Sequence, residues 1–340
     1  MSIQQTNPET QSISRIMEKK KLTLGVDIGG TNTVFGFINE EGKYLSGSSI
    51  PTNGEVDADK FIARLVKNIN ETFDIYKNDY NLAGIGIAAP SANHLNGTIE
   101  EPSNLKWSNV NFVSIMKEYF KIPVAIINDA NAAALGEYYY GHAKGLRNFI
   151  VITLGTGMGA GIFVDGNLLY GERGLAGELG HIIVDPDGRK CNCGRSGCLE
   201  TYVSATGIKR TVFEMMAVYT DPSPLRDMTY NEIDGQVISD LAAKGDTLAL
   251  KSFDYTGKIL GRAMANLSAH YAPQMIVLFG GLVNSGSLLL EPTCRTFEEK
   301  LLNVHKGKIQ VLVSKLNNAT AGILGASSLI FRELKKDHWN

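Results

Sequence analysis

The run from Leu24 to Ile38 sets two apolar segments on either side of a Gly29-Gly30-Thr31-Asn32 turn, with Asp27 just ahead of it. Apolar β-formers flanking a short Gly/Asn turn predict a β-hairpin. At its tip the glycines let backbone N–H groups approach a bound anion with no Cβ in the way, and the Thr31 hydroxyl adds a donor. The turn therefore reads either as a phosphate cradle or as an ordinary Gly-rich hairpin. Under the first reading Asp27 would repel the phosphate unless a divalent cation lay between them, which implies Mg²⁺.

A second copy of the scheme favours the cradle. Val151 to Val164 again runs strand, turn and strand, with Gly155-Thr156-Gly157-Met158-Gly159 at the bend. Two such turns in separate halves suggest a nucleotide held in a cleft between duplicated domains. The chain length of 340 residues allows two domains with sizeable cores. A net charge of −2 lacks the clustered positive excess of a nucleic-acid binder. The longest uncharged stretch, Asn148 to Val164, is interrupted by Gly and Thr and reads as buried hairpin, so no membrane span is expected. Residues 1–20 are polar, without the apolar core of a signal peptide, and read as a frayed tail or one short helix.

Between the hairpins the pattern alternates. A third strand is expected over Lys43 to Ile50, a helix over Ala58 to Tyr76, a strand over Leu82 to Ala89, a helix over Phe112 to Phe120 and a strand over Ile122 to Ile127. This order predicts an α/β domain with a mixed sheet. Ser91 to Trp107 has the Asn, Ser and Gly content of a functional loop. Val124 to Ala134 passes from apolar strand into Ala-rich helix, which puts Asn128 and Asp129 at the carboxyl end of a strand, where open α/β sheets place ligands. Locally, the simpler reading is that Asp129 caps the helix.

Gly171 to Tyr202 is glycine-rich and predicts an extended loop. It holds Glu178, His181, Glu200 and Cys191-Asn192-Cys193-Gly194-Arg195-Ser196-Gly197-Cys198. Three thiols in eight residues with a His ten residues upstream supply four ligands for a closed tetrahedral Zn²⁺ site, the alternative being chance clustering of buried cysteines. Cys294 lies far away and reads as a core thiol. With four cysteines and no leader, a reducing compartment, the cytoplasm, is expected. Beyond Ile208 the chain is expected to be helical, with a long helix over Leu248 to His270 and a buried strand into Gly280-Gly281, where either a flat ligand or the next helix could approach closely. A helix over Leu288 to Leu302, a strand over Ile309 to Val313 and an Ala/Gly-rich helix over Ala319 to Leu334 end the pattern.

Together, Asp27-Ile28-Gly29-Gly30-Thr31, Asn128-Asp129, Leu154-Gly155-Thr156-Gly157-Met158-Gly159, Glu178-Leu179-Gly180-His181 and the Cys191/Cys193/Cys198 loop resemble the ROK family of sugar kinases and sugar-responsive repressors. That family falls within the actin, hexokinase and heat-shock-protein ATPase superfamily. The resemblance runs from about Lys21 to Leu334. It implies an α/β fold of two actin-like (ribonuclease H-like) ATPase domains with mixed sheets and an interdomain cleft. The implied division is a tail at 1–20, a small domain at 21–128 plus 319–340, and a large domain at 129–318 whose zinc loop spans 178–200. The last helix is expected to return to the first domain.

The resemblance also implies roles. Asp129 becomes the general base for a hexose primary hydroxyl attacking the γ-phosphate of ATP, displacing the cap reading, and Asn128 binds a neighbouring hydroxyl. Asn104, Glu178, His181 and Glu200 match sugar-binding positions. Asp27, Gly29, Gly30, Thr31, Asn32, Gly155, Thr156 and Gly157 match the phosphate and Mg²⁺ side, and Gly280 and Gly281 the adenosine side. His181, Cys191, Cys193 and Cys198 match a structural Zn²⁺ site. The expected activity is ATP-dependent hexose phosphorylation, with glucose favoured. N-acetylhexosamine or another hexose, a catalytically silent sugar sensor and a partner-driven ATPase are the alternatives. Repressors carry a helix-turn-helix domain for which about twenty leading residues are too few. A homodimer or higher homo-oligomer is expected, with no nucleic-acid or membrane partner.

Overall fold

The computed structural model describes residues 19–52, 57–102 and 105–336. The expected tail, up to residue 18, and Asn104 lie outside the described residues. The first half starts with the expected hairpin, β1 (Lys20–Ile28) and β2 (Asn32–Asn39), followed by β3 (Tyr44–Pro51) and α1 (Ala58–Phe73). Asp57 caps α1 by accepting from the Asp59 and Lys60 N–H groups. Phe61, Ile62, Leu65, Val66 and Ile69 recur at helical spacing and bury one face, each contributing about 1.5–3 kcal/mol. The chain continues through β4 (Tyr80–Ala89), a small hairpin of β5 (Ala92–Asn93) and β6 (Thr98–Ile99), α2 (Phe112–Tyr119), β7 (Val124–Asn128) and α3 (Asp129–Tyr140).

The second half repeats the plan with longer helical insertions. It comprises β8 (Phe149–Leu154), β9 (Met158–Val164), β10 (Asn167–Leu168), α4 (Glu200–Val203), α5 (Ala205–Val218), α6 (Gly235–Ala243), α7 (Thr247–Tyr271), β11 (Met275–Phe279), α8 (Ser287–Lys300), β12 (Gln310–Val313) and α9 (Asn318–Lys336). The loop expected over Gly171 to Tyr202 is irregular for most of its length, but it closes in α4, which begins at Glu200.

The duplication is visible in the strand order. One sheet runs β3-β2-β1-β4-β7, the other β10-β9-β8-β11-β12. In each, the first three strands in sequence pair antiparallel and the last two join parallel, giving the mixed sheets expected. Each sheet has its own apolar core. A third, containing Ile127, Ala132, Leu135, Phe149, Val151, Phe163, Val277, Ala326 and Leu329, joins them. Phe149 and Phe163 stack at 4.5 Å inside it.

Helix α9 returns to the first sheet as expected. The backbones of Gly25 in β1 and Gly86 in β4 meet the Ile323 and Ala326 carbonyls so closely that a side chain on either strand position would collide with them. The Thr23 and Ser327 hydroxyls bond across this buried seam at 2.7 Å. Among the described residues no helix is long and apolar enough to cross a membrane.

Candidate active site

Two carboxylates stand at the carboxyl ends of parallel strands, the position to which open α/β sheets bring ligands. Asp27 lies near the end of β1 and Asp129 immediately follows β7. The helix cap is Asn128: its Oδ1 accepts from the Ala130 N–H at 2.9 Å and the Asn131 N–H at 3.4 Å. The local reading of Asp129 as the cap is thereby corrected. Asp129 is the first residue of α3, with one carboxylate oxygen taking the Ala130 N–H at 2.7 Å. The reason is length, since a side-chain oxygen one residue earlier reaches the N2 and N3 donors.

Both acids line one cavity of about 660 Å³, within the range of small-molecule sites. Asp129 is open to the cavity, but the walls packed around it reduce its hydration. This desolvation raises its pKa, against the pull of the Ala130 and its own backbone N–H groups. Asp27 is pushed up to about 6, first by burial and then by the Asp129 charge. Helix α9 contributes to that burial by laying Gly322 directly against the Asp27 carboxylate. Two acids that repel each other across one cavity suit a divalent cation, so the donor set fits Mg²⁺.

The opposite wall is the β8–β9 turn. Its backbone closes on itself from the Gly155 N–H to the Gly157 carbonyl at 3.0 Å, and α5 fastens it from outside. There the Ala205 N–H reaches the Gly155 carbonyl at 2.9 Å and the Thr206 hydroxyl reaches the Thr156 carbonyl at 2.8 Å. Glu200 Oε2 accepts from the Met158 N–H at 2.9 Å. Its carboxylate presses so closely on Gly157 that a Cβ there would displace it, so Gly157 serves Glu200 as well as the turn. Gly280, at φ +111°, is also needed by packing: a Cβ would sit 2.6 Å from the Leu154 carbonyl.

The loop before α4 carries the metal candidates. Cys191 Sγ lies 3.7 Å from His181 Nδ1, Cys193 and Cys198 sulfurs are 3.6 Å apart, and all four ligand atoms fall within 4.8 Å of one another. A tetrahedral ion with Zn–S near 2.3 Å and Zn–N near 2.0 Å needs edges of about 3.5–3.8 Å. The cluster fits zinc. With Nδ1 facing the thiols, Nε2 lies 4.0 Å from Glu178 Oε2. Burial raises the Glu178 pKa; His181 lowers it, and Asp129 and Glu200 raise it further.

Asp27, Gly29, Asn128, Asp129, Gly155, Thr156, Gly157, Glu178, His181, Cys191, Glu200 and Gly280 all face the cavity. Gly30, Thr31, Asn32 and Gly281 do not line it; Thr31 and Asn32 are exposed, and the Thr31 carbonyl takes the Thr52 N–H at 2.8 Å. Cys193 and Cys198 stand behind the wall in the zinc cluster. Ser204, Thr206, Arg210 and Gly322 line the cavity without having been singled out from sequence. Ser204 had a signal, being an N-cap type directly before a helical stretch, and it caps α5 through the Gly207 N–H.

The ROK family model matches residues 23–333. A glucokinase of Halalkalibacterium halodurans is 36% identical over 315 residues, covering 90% of this chain and 94% of the relative. A glucokinase of Thermotoga maritima is 34% identical over 92% of this chain and 98% of the relative. A solved ROK family glucokinase from Streptomyces griseus, in complex with glucose and AMPPNP, aligns with a TM-score of 0.75 at 32% identity, over 91% of this chain and 98% of that one. A ROK family transcriptional regulator, a homolog of the E. coli MLC protein, aligns with a TM-score of 0.81 at 29% identity, over 91% of this chain and 78% of that one.

Proposed function

Because the chain belongs to the ROK family, we propose that it transfers the terminal phosphoryl group of ATP to the 6-hydroxyl of glucose. The observation that carries this reading is the identity of 34–36% with glucokinases over nine-tenths of the chain, joined to a cavity lined by Asp129, Glu178, His181 and Glu200.

Asp129 is the general base. Its carboxylate takes the proton of the attacking hydroxyl, and its raised pKa brings it nearer neutral pH, where a base works best. Asn128 spends its Oδ1 on the helix and keeps its Nδ2 donor for a sugar hydroxyl. Glu178, Glu200 and His181 Nε2 supply further fixed partners for a neutral, many-hydroxyl ligand, with Asn104 as a fourth. The Gly155-Thr156-Gly157 turn and Gly29 take the donor phosphates and Gly280 lies on the adenosine side, all lining the cavity; Gly30, Thr31, Asn32 and Gly281, which adjoin them in sequence, complete the two turns. Asp27 would hold Mg²⁺, which screens phosphate charge when bound. His181, Cys191, Cys193 and Cys198 would hold Zn²⁺, fixing the ring of His181 and the loop that ends in Glu200.

The lobes are taken as 21–128 plus 319–340 and 129–318, with closure excluding water from the transfer. A cytoplasmic location and assembly as a homodimer or higher oligomer complete the reading; sedimentation measures the latter. The test is a coupled assay with ATP over a panel of glucose, mannose, fructose and N-acetylated hexosamines. Highest kcat/KM on glucose is expected. Turnover of an N-acetylated hexosamine alone would move the assignment within the family, and hexose binding without turnover would favour a sensor.

A further inference from the structure

A buried arginine outside the cavity lining bonds to both helices behind the wall that carries Glu200. Arg189 is 7% exposed and lies at the base of the Cys191–Cys198 hairpin, where its carbonyl accepts from the Gly197 N–H at 2.8 Å. All five of its guanidinium donors are used. Nε and Nη2 grip the two Glu214 oxygens at 2.8 and 2.6 Å, and Nη2 also reaches Thr211 Oγ1 at 2.8 Å. Nη1 serves the Thr201 and Gly207 carbonyls at 2.6 and 3.0 Å. The guanidinium lies 4.4 Å from the centre of the Tyr202 ring, and the Tyr202 hydroxyl takes the Arg189 N–H at 3.1 Å.

The guanidinium's partners belong to two helices, which it ties to the loop that carries it. Arg189 itself stands two residues before Cys191. Thr201 follows Glu200 in α4. Gly207, Thr211 and Glu214 are on α5, whose first turn holds the Gly155 and Thr156 carbonyls. A planar fork with five fixed donors can hold α4 and α5 to its own loop at once, which a flexible ammonium with three donors cannot.

We propose that Arg189 is a positioning residue for sugar recognition: it seats the zinc hairpin and Glu200 on α5, so that hexose affinity depends on a side chain that never meets the hexose. The proposal rests on the reading of Glu178, His181 and Glu200 as sugar contacts. Arg189→Lys keeps the charge and loses the fork. The Kd for glucose, measured by calorimetry without nucleotide, and the KM for glucose should both rise at least tenfold, while the KM for ATP stays within about twofold and zinc stays at the wild-type amount. A merely structural lesion would lower kcat/KM for both substrates alike.

If Arg189→Lys does not fold, Glu214→Gln carries the test, because it spares Arg189 and weakens only the charged grip; a rise of about threefold in the glucose KM alone is expected. Wild-type zinc with glucose affinity within twofold of wild type in the variant that folds would overturn the proposal. So would loss of zinc in step with sugar affinity, since the effect would then belong to the metal. Absence of hexose binding by the wild-type protein would overturn the proposed function, and this inference with it.

Discussion

Asp27 offers a test in which stability and function move in opposite directions. Its pKa stands at about 6 instead of 3.8, because β1, Gly322 of α9 and the facing Asp129 make ionisation costly in the folded chain. A raised folded pKa means that the native state holds the proton more tightly than the unfolded chain. Its contribution to stability is therefore fully present below pH 3.8 and is lost as pH rises through about 6. A shift of about 2 units at roughly 1.4 kcal/mol each gives an upper limit near 3 kcal/mol. The carboxylate is only partly shielded, so about 1–3 kcal/mol is expected.

Asp27→Asn removes the charge and keeps the shape, so at pH 8 in chelator the ligand-free variant should be the more stable protein. With roughly 2.1 cal/mol/K per residue of unfolding entropy, a chain of 340 residues should gain about 1–4 °C in Tm. Calorimetric melts of both proteins at pH 8 and pH 4 isolate the difference, because every other group titrates in both. The gain should shrink towards zero at pH 4 while kinase turnover at pH 8 falls. A variant no more stable than wild type at pH 8, or a gain undiminished at pH 4, would refute the reasoning.

Asp129→Asn should lower kcat by about 10²–10⁴-fold with the glucose KM within a few-fold, as steady-state kinetics on the folded variant would show. In the wild-type enzyme the acid limb of the kcat/KM profile should lie above the ordinary carboxylate range, since burial raises the pKa of Asp129; a plateau extending down to pH 4 would count against it as the base. Cys191→Ser should lose zinc by elemental analysis and weaken glucose binding at least tenfold, with nucleotide binding by titration changed less. Gly157→Ala should raise the glucose KM at least as much as the ATP KM, because the added carbon meets Glu200; an effect on ATP alone would mean that Glu200 does not serve the sugar.

The hairpins and the duplication were legible because apolar runs broken by Gly/Thr turns have few other ways to fold, whereas the order of strands within each sheet emerged only from the structure. The site was legible where chemistry is dense in sequence: the Cys191-Asn192-Cys193 cluster and its upstream His181 are close enough along the chain to be read as one ligand set. It was less legible where geometry decides between neighbours. Asn128 and Asp129 are both good capping types, and only the direction of the chain leaving β7 selects the first. Gly157 reads from sequence as a phosphate glycine alone, because the second partner that excludes a side chain there, Glu200, lies 43 positions later. Arg189 gave no signal, since an arginine in a glycine-rich loop reads as solvated until its five partners, spread from Thr201 to Glu214, are assembled.

The seam between α9 and the first sheet also sets a timetable for synthesis. Strand β1 leaves the ribosome early, but the surface that covers Gly25 and receives the Thr23 hydroxyl belongs to residues 323–327. At about 5–20 residues per second, roughly 300 residues correspond to some 15–60 s. During that interval the first sheet has one face without its partner. The amino-terminal half is thus the last part of the chain to be sealed, and a chain ending before Asn318 would leave its first strands uncovered rather than merely shortening its end.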